Sequence, residues 1–288
     1  MSIDLHIHTT ASDGDTDPVT VVKMAAEAGL KVIALADHES TSGFHPAFEA
    51  GRNLGIKVIP AVELLTFYKE AEVHLLGYFP DPDNKYLQKE LAKLRHQRSQ
   101  CAKSTVEKLA EFGYEISWPD VRQLALPESP VSKGHIMQAI RNAGYIKDRN
   151  DAVNFLIKYL NCKGLAYICH DFSFEDGVEL IKRAGGVPVL AHPGLIRDDE
   201  IVEELCTKGI AGIEVFYYYF GQSRQERIQK YKAKAEEKHF LKTGGSDYHG
   251  THTPVVLGSH CVPYEEVKEF LQLFGVNWNM FSGGVLCQ

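Results

Sequence analysis

Apolar and polar residues alternate at the start of the chain, with Ile3, Leu5 and Ile7 on one parity and Asp4, His6 and His8 on the other. A period of two marks a β-strand, in which residues two apart project to the same side. From Pro18 the period lengthens to that of a helix (Val19, Val22, Ala25, Ala26), which Gly29 ends. Apolar runs then predict buried strands over 31–36 and 56–62, separated by a helix over 44–54 that Gly55 closes. A fourth strand follows over 73–79. This alternation predicts a parallel α/β architecture.

The rhythm breaks near residue 84, where a long, charged, helix-favouring segment begins and runs to about Phe112. Trp118-Pro119, a turn region from Pro127 to Pro130, and helical patterns over 133–142 and 151–160 come next. We read 97–169 as a mostly helical insertion, dividing a barrel-like domain into 1–96 and 170–288. After it the spacing predicts strands over 187–191, 212–216, 240–243 and, last, 255–260. Helices over 174–184, 199–208, 222–238 and 264–274 fall between and after them.

At 288 residues the chain accommodates one large domain or one domain with an insertion. A net charge of −7 argues against a stable duplex nucleic-acid partner and fits an acidic excess offset by bound cations. The six cysteines form no Cys-x-x-Cys pair, and Met1-Ser2 runs directly into the first strand. Reduced thiols in a cytoplasmic protein are therefore expected. No apolar run approaches a membrane span.

In barrels of parallel strands, chemistry collects at the carboxyl ends of the strands. His6, His8, Asp13, His38, Glu63, His74, His192, Asp247 and His249 all sit at or beside predicted strand ends. Imidazole mixed with carboxylate, without thiolate, suits Mn²⁺, Fe²⁺ or Zn²⁺ and disfavours Ca²⁺. Nine ligands exceed the needs of one ion, so two or three divalent cations sharing a bridge are expected. Glu63 is the expected bridge, because a carboxylate offers two oxygens and a neutral imidazole one free lone pair. Such a cluster lowers the pKa of a bridging water and neutralises phosphoryl oxygens. Phosphoester hydrolysis by a metal-bridging hydroxide is the expected reaction, with amide hydrolysis its nearest competitor. Glu63, His192, Asp247 and His249 form the expected catalytic group, His192 or His249 protonating the departing alkoxide. Asp37 is expected to orient His38, and Glu214 to line the pocket or stand behind the ligands. The aromatic run Phe216-Tyr217-Tyr218-Tyr219-Phe220 reads as wall and packing.

Taken in order, Asp4-Leu5-His6-Ile7-His8-Thr9, Ala36-Asp37-His38, Glu63, His74, Ala191-His192-Pro193-Gly194 and Gly245-Ser246-Asp247-Tyr248-His249 resemble the PHP (polymerase and histidinol phosphatase) family of metal-dependent phosphoesterases. The resemblance implies a distorted (β/α)7 TIM-like barrel with a trinuclear site. It assigns His6, His8, Glu63 and Asp247 to one ion, and Glu63, His74 and His192 to a second. Asp13, His38 and His249 fall to the third. Mn²⁺ is the first expectation for the metal, with Fe²⁺, Zn²⁺ or Mg²⁺ the others. Ser132-Lys133-Gly134-His135-Ile136 and Tyr167-Ile168-Cys169-His170 resemble the insertion of the branch that acts on 3′,5′-bisphosphorylated nucleotides such as pAp and trims short RNA from the 5′ end. That implies an insertion lining the substrate pocket, with Lys133, His135 and His170 contacting phosphate. Gln138 and Leu195 depart from the branch, which has arginine and commonly a basic residue there; Arg197 is placed to substitute for the latter. The expected partner is a small nucleotide or short oligonucleotide. Two alternatives stand beside it: another small phosphomonoester such as histidinol phosphate, and a non-catalytic, metal-stabilised binding module.

Overall fold

The period-two stretch forms β1 (Ser2–Ile7), whose residues from Ile3 onward are all buried. The structure is a computed structural model that describes residues 2–169, 171–258, 260 and 262–277. In α1 (Pro18–Glu27) the Asp17 carboxylate accepts the Val19 and Thr20 amides, and Pro18 supplies a preset first-turn φ. β2 (Leu30–Leu35), α2 (Phe44–Leu54), β3 (Lys57–Tyr68) and β4 (Ala71–Tyr78) follow. The helical segment comprises α3 (Lys85–Glu111), α4 (Trp118–Arg122), α5 (Lys133–Asn142) and α6 (Arg149–Phe155), the last running into a π-helical turn at Leu156–Leu160. The barrel resumes with α7 (Phe174–Arg183), β5 (Val187–Leu190), α8 (Asp199–Leu205), β6 (Gly212–Tyr217), α9 (Arg224–Lys238), β7 (Leu241–Gly245) and α10 (Tyr264–Gln272).

The seven strands form one sheet in chain order, β1 to β7. It closes where the Asp247 amide donates to His6 O at 2.8 Å and the His8 amide to Tyr248 O at 2.9 Å. The result is the distorted α/β barrel the motifs implied. One strand departs from the all-parallel expectation, since β4 runs antiparallel to both β3 and β5. β3 continues past Glu63 to Tyr68 and turns through Lys69 and Glu70 directly into β4. A parallel return needs a crossover of a dozen or more residues, and this connection has room only for a hairpin. The reversal brings the beginning of β4, with His74 opposite Leu65, to the end of the barrel where the parallel strands finish.

The strand expected over 255–260 is absent among the described residues. Val255 and Leu257 are buried while Val256 is 65% exposed, which reproduces a strand's period in the sequence. No sheet edge is free to receive it: β7 pairs with β6, and the chain just after β7 pairs with the end of β1.

The apolar core divides along α3. Leu87, Leu91 and Leu94 pack into the barrel core, whereas Ala102, Val106 and Leu109 pack with Ile136, Ile140 and Phe155 in a second cluster. Between them lies buried Arg98, whose Nη1 donates to both Glu39 oxygens at 3.0 Å. Glu39 also accepts the Leu65 amide at 2.9 Å, so the pair ties α3 to the loop that carries His38. Among the described residues no helix is long and apolar enough to cross a membrane.

Candidate metal centre

His6 and His8 leave β1 on the same face, and their Nε2 atoms converge to 3.2 Å. Glu63 lies on β3 beneath them, Asp247 follows β7, and together these four form the first of three groups. His8 Nε2 stands 3.2 Å from both Glu63 Oε2 and Asp247 Oδ1, and His6 Nε2 stands 3.4 Å from Asp247 Oδ1. In the second group, His74 Nδ1 and His192 Nε2 each approach Glu63 Oε1 at 2.9 Å. The third joins Asp13, His38 and His249, with His249 Nε2 3.5 Å from Asp13 Oδ1. Within each group the ligand atoms lie within 4.8 Å of one another. All nine metal-site candidates thus meet at one barrel mouth. His8 also belongs to the third group, its ring Nδ1 lying 3.7 Å from Asp13 Oδ1, a sharing the motif-based partition did not include.

The residues behind these ligands determine where they point. Buried Glu214 accepts His6 Nδ1–H at 2.9 Å through one oxygen and the His192 amide at 2.8 Å through the other. That leaves the His6 Nε2 lone pair facing the first group. The His249 Nδ1–H donates to Asp247 O at 2.9 Å, leaving its Nε2 for the third. Asp37 does not orient His38 as expected. Its oxygens accept the Thr9 amide (2.7 Å), the Thr9 hydroxyl (2.8 Å) and the Ser12 hydroxyl (2.6 Å), so it shapes the loop that returns Asp13. His192 and Asp247 both have positive φ, 25° and 56°. Non-glycine residues there carry about 1–3 kcal/mol of strain each, which persists where surrounding contacts hold the backbone.

The two aspartates test whether divalent ions fit. Asp13 Oδ2 accepts the Ser132 hydroxyl at 2.5 Å, and Asp247 Oδ2 accepts the Tyr217 hydroxyl at 2.9 Å. In each carboxylate the other oxygen, Oδ1, is buried, has no hydrogen-bond donor and faces imidazole nitrogens. A buried acceptor without a donor is costly unless a cation takes the donor's place. The donor set of imidazole and carboxylate without thiolate suits divalent ions. Burial alone would raise the Glu63 pKa, but His74, His6 and His38 hold it well below the usual carboxylate range. Burial likewise opposes charge on His74 and His249, yet Glu63 lifts the first to about 9 and Asp247 lifts the second to about 10. Protons on these imidazoles offset the carboxylates in the ion-free chain, and bound cations would replace them. The residues fit the ions.

A cleft of about 910 Å³ opens beside the second group, lined by His74 and His192 at the barrel and by Lys133, Leu156 and Ile157 from the helical segment. Arg197 also lines it and makes no ion pair among the described residues. His135, expected to contact phosphate, is instead buried in the first turn of α5, where Nδ1 accepts the Ser132 amide at 3.1 Å. It closes a capping box and does not line the cleft. His170 lies outside the described residues. The sequence pattern singled out neither Glu72 nor the Ser132 hydroxyl, and it placed Tyr217 only in a wall of packed aromatics. Glu72 had a visible signal, since it stands two residues before His74 and so on the same strand face. Tyr217 had none beyond its place at a strand end.

The PHP domain family model matches residues 4–168. A phosphoribosyl 1,2-cyclic phosphate 1,2-diphosphodiesterase of Eggerthella lenta is 29% identical over 253 residues, 86% of this chain and 94% of that protein. A 3′,5′-nucleoside bisphosphate phosphatase of Chromobacterium violaceum is 28% identical over 256 residues, 86% of this chain and 87% of its own. Among solved structures, a putative metal-dependent phosphoesterase of Bifidobacterium adolescentis superposes with a TM-score of 0.83 at 29% identity, over 96% of this chain and 97% of that one.

Proposed function

This chain belongs to the PHP domain family of metal-dependent phosphoesterases, and from that premise we propose that it hydrolyses a phosphate monoester of a small nucleotide phosphorylated at both the 3′ and 5′ positions. The observation that carries this reading is the cleft, which joins the second ligand group to both cationic and apolar walls. Lys133 Nζ and the Arg197 guanidinium supply positive charge for phosphate oxygens, Arg197 as a fork that can grip two of them. Leu156 and Ile157 from the helical segment and Leu195 and Ile196 from the barrel offer apolar surface to the face of a nucleobase. A small polar alcohol such as histidinol would leave that surface unused. Divalent ions in the three groups, Mn²⁺ first and Fe²⁺, Zn²⁺ or Mg²⁺ otherwise, supply nucleophile activation and charge neutralisation at phosphorus. Glu63 holds two groups at a fixed separation, Oε1 toward His74 and His192 and Oε2 toward His8. Of the four residues expected to be catalytic, His192 alone lines the cleft; Glu63, Asp247 and His249 act as its framework.

The test follows, by the purified chain with Mn²⁺, phosphate release from adenosine 3′,5′-bisphosphate and histidinol phosphate, ring opening of a ribose 1,2-cyclic phosphate, and nucleoside 5′-monophosphate release from a short 5′-phosphorylated oligoribonucleotide. We expect the bisphosphate to be turned over with a kcat/KM at least tenfold, about 1.4 kcal/mol, above histidinol phosphate, and to be inert with EDTA. A His6→Ala, His8→Ala double variant should be inactive. Preference for histidinol phosphate or for the cyclic diester, or EDTA-resistant turnover, would replace this assignment. Binding of the bisphosphate without any turnover would favour a binding module.

A further inference from the structure

We infer that Glu72 is a positioning residue: it orients the His74 imidazole toward the second ligand group and fastens Lys133 of the helical segment to that same imidazole. Glu72 and His74 are two apart on β4 and project together. The His74 ring lies between two carboxylates, Nδ1 2.9 Å from Glu63 Oε1 and Nε2 3.3 Å from Glu72 Oε1. A proton held on Nε2 by Glu72 leaves the Nδ1 lone pair for an ion, the arrangement in which an outer carboxylate fixes the tautomer of a ligating histidine. Lys133 Nζ donates to the same Glu72 Oε1 and lies 4.8 Å over the Tyr167 ring. One carboxylate oxygen thus links a cleft cation at the start of α5 to a ligand on the barrel. The bland alternative is that Glu72 merely neutralises Lys133.

The two roles separate experimentally. In the positioning role, Glu72→Ala loses roughly 10- to 100-fold in Mn²⁺ affinity at one site per chain, and Glu72→Gln, which keeps an acceptor for Nε2–H, loses less. Lys133→Met keeps wild-type Mn²⁺ affinity and raises KM for adenosine 3′,5′-bisphosphate. The decisive variant is Glu72→Ala/Lys133→Met, which has no uncompensated lysine and so remains foldable if charge balance alone matters. Mn²⁺ titration followed by electron paramagnetic resonance, with metal content by mass spectrometry, reads each protein directly. A persistent deficit of one site in the double variant supports the positioning role. Wild-type Mn²⁺ affinity in either Glu72→Ala protein overturns it. The KM arm rests on the phosphoesterase reading and the metal arm does not. A wild-type chain that binds Mn²⁺ but turns over no ester would therefore sink the former reading while leaving this one decided by titration.

Discussion

Replacing Tyr217 by phenylalanine removes one hydroxyl from the site and little else. The ring packs 4.9 Å from Tyr219 and 5.2 Å from His192, centroid to centroid, and Phe keeps those contacts. What is lost is the 2.9 Å hydrogen bond to Asp247 Oδ2. Burial first, and the neighbouring Asp247 carboxylate after it, hold the phenol well above its usual pKa, so the hydroxyl stays a donor across the working range. A hydrogen bond to a charged group contributes about 1.5–3 kcal/mol. Asp247 is the carboxylate whose other oxygen lies between His6 and His8, so its orientation and the first ligand group are coupled. If that whole contribution appears as lost affinity, Mn²⁺ binding at this group weakens by roughly 10- to 150-fold. Whatever part of it the ion-free protein already realises appears instead as lower stability, at most roughly 2–5 °C in Tm for a chain of this size. Isothermal titration of Mn²⁺ and thermal unfolding with and without EDTA measure both. Unchanged Mn²⁺ affinity with a lowered Tm would show that Tyr217 supports the fold but does not aim Asp247. No change in either would refute the reasoning.

Gly245→Ala should open the barrel seam. A Cβ there would meet the His6 amide nitrogen and Cβ at 2.4 Å, and backbone at that distance has no side-chain freedom through which to yield. The loss should exceed the roughly 1–3 kcal/mol of an overpacked core position, read as a lower urea midpoint; a midpoint within error of the wild type would contradict the closure as described. Arg98→Met strands Glu39 in the interior and should cost about 3–5 kcal/mol, whereas Glu39→Gln/Arg98→Met should recover much of that. Equal destabilisation of the single and double variants in urea unfolding would show that Arg98 packing, not charge pairing, holds α3 to the barrel.

The strands and helices of the barrel were legible because burial imposes a period and glycines mark the ends. The candidate ligand set was legible for a separate reason. In a parallel barrel, any His, Asp or Glu just past an apolar run falls at one mouth, whatever its distance along the chain. The false strand over 255–260 shows where this reasoning fails: Val255 and Leu257 alternate with exposed Val256, but pairing requires a free edge, and sheet closure is invisible in local sequence. The role expected for His135 fails similarly. A histidine three residues after Ser132 serves as well for a helix cap as for a phosphate contact, and the structure uses it for the cap. The division of labour between Asp37, Glu72, Glu214 and Tyr217 depends on contacts across 22 residues and more, except for Glu72 beside His74, so no local pattern carries it.

His74 joins these two levels. Its place near the start of a strand conflicts with a rule that puts chemistry at strand ends, and an all-parallel barrel would have carried it to the opposite mouth. The chain between Glu63 and His74 settles the matter: it holds too few residues for a crossover helix, so β3 must turn back on itself. Reversal makes the beginning of β4 a neighbour of the end of β3, where Leu65 faces His74 and Glu63 lies within 2.9 Å of its ring. The antiparallel strand is therefore what allows a single carboxylate to serve two ligand groups. A barrel with a helix inserted between β3 and β4 would keep each residue and lose the bridge.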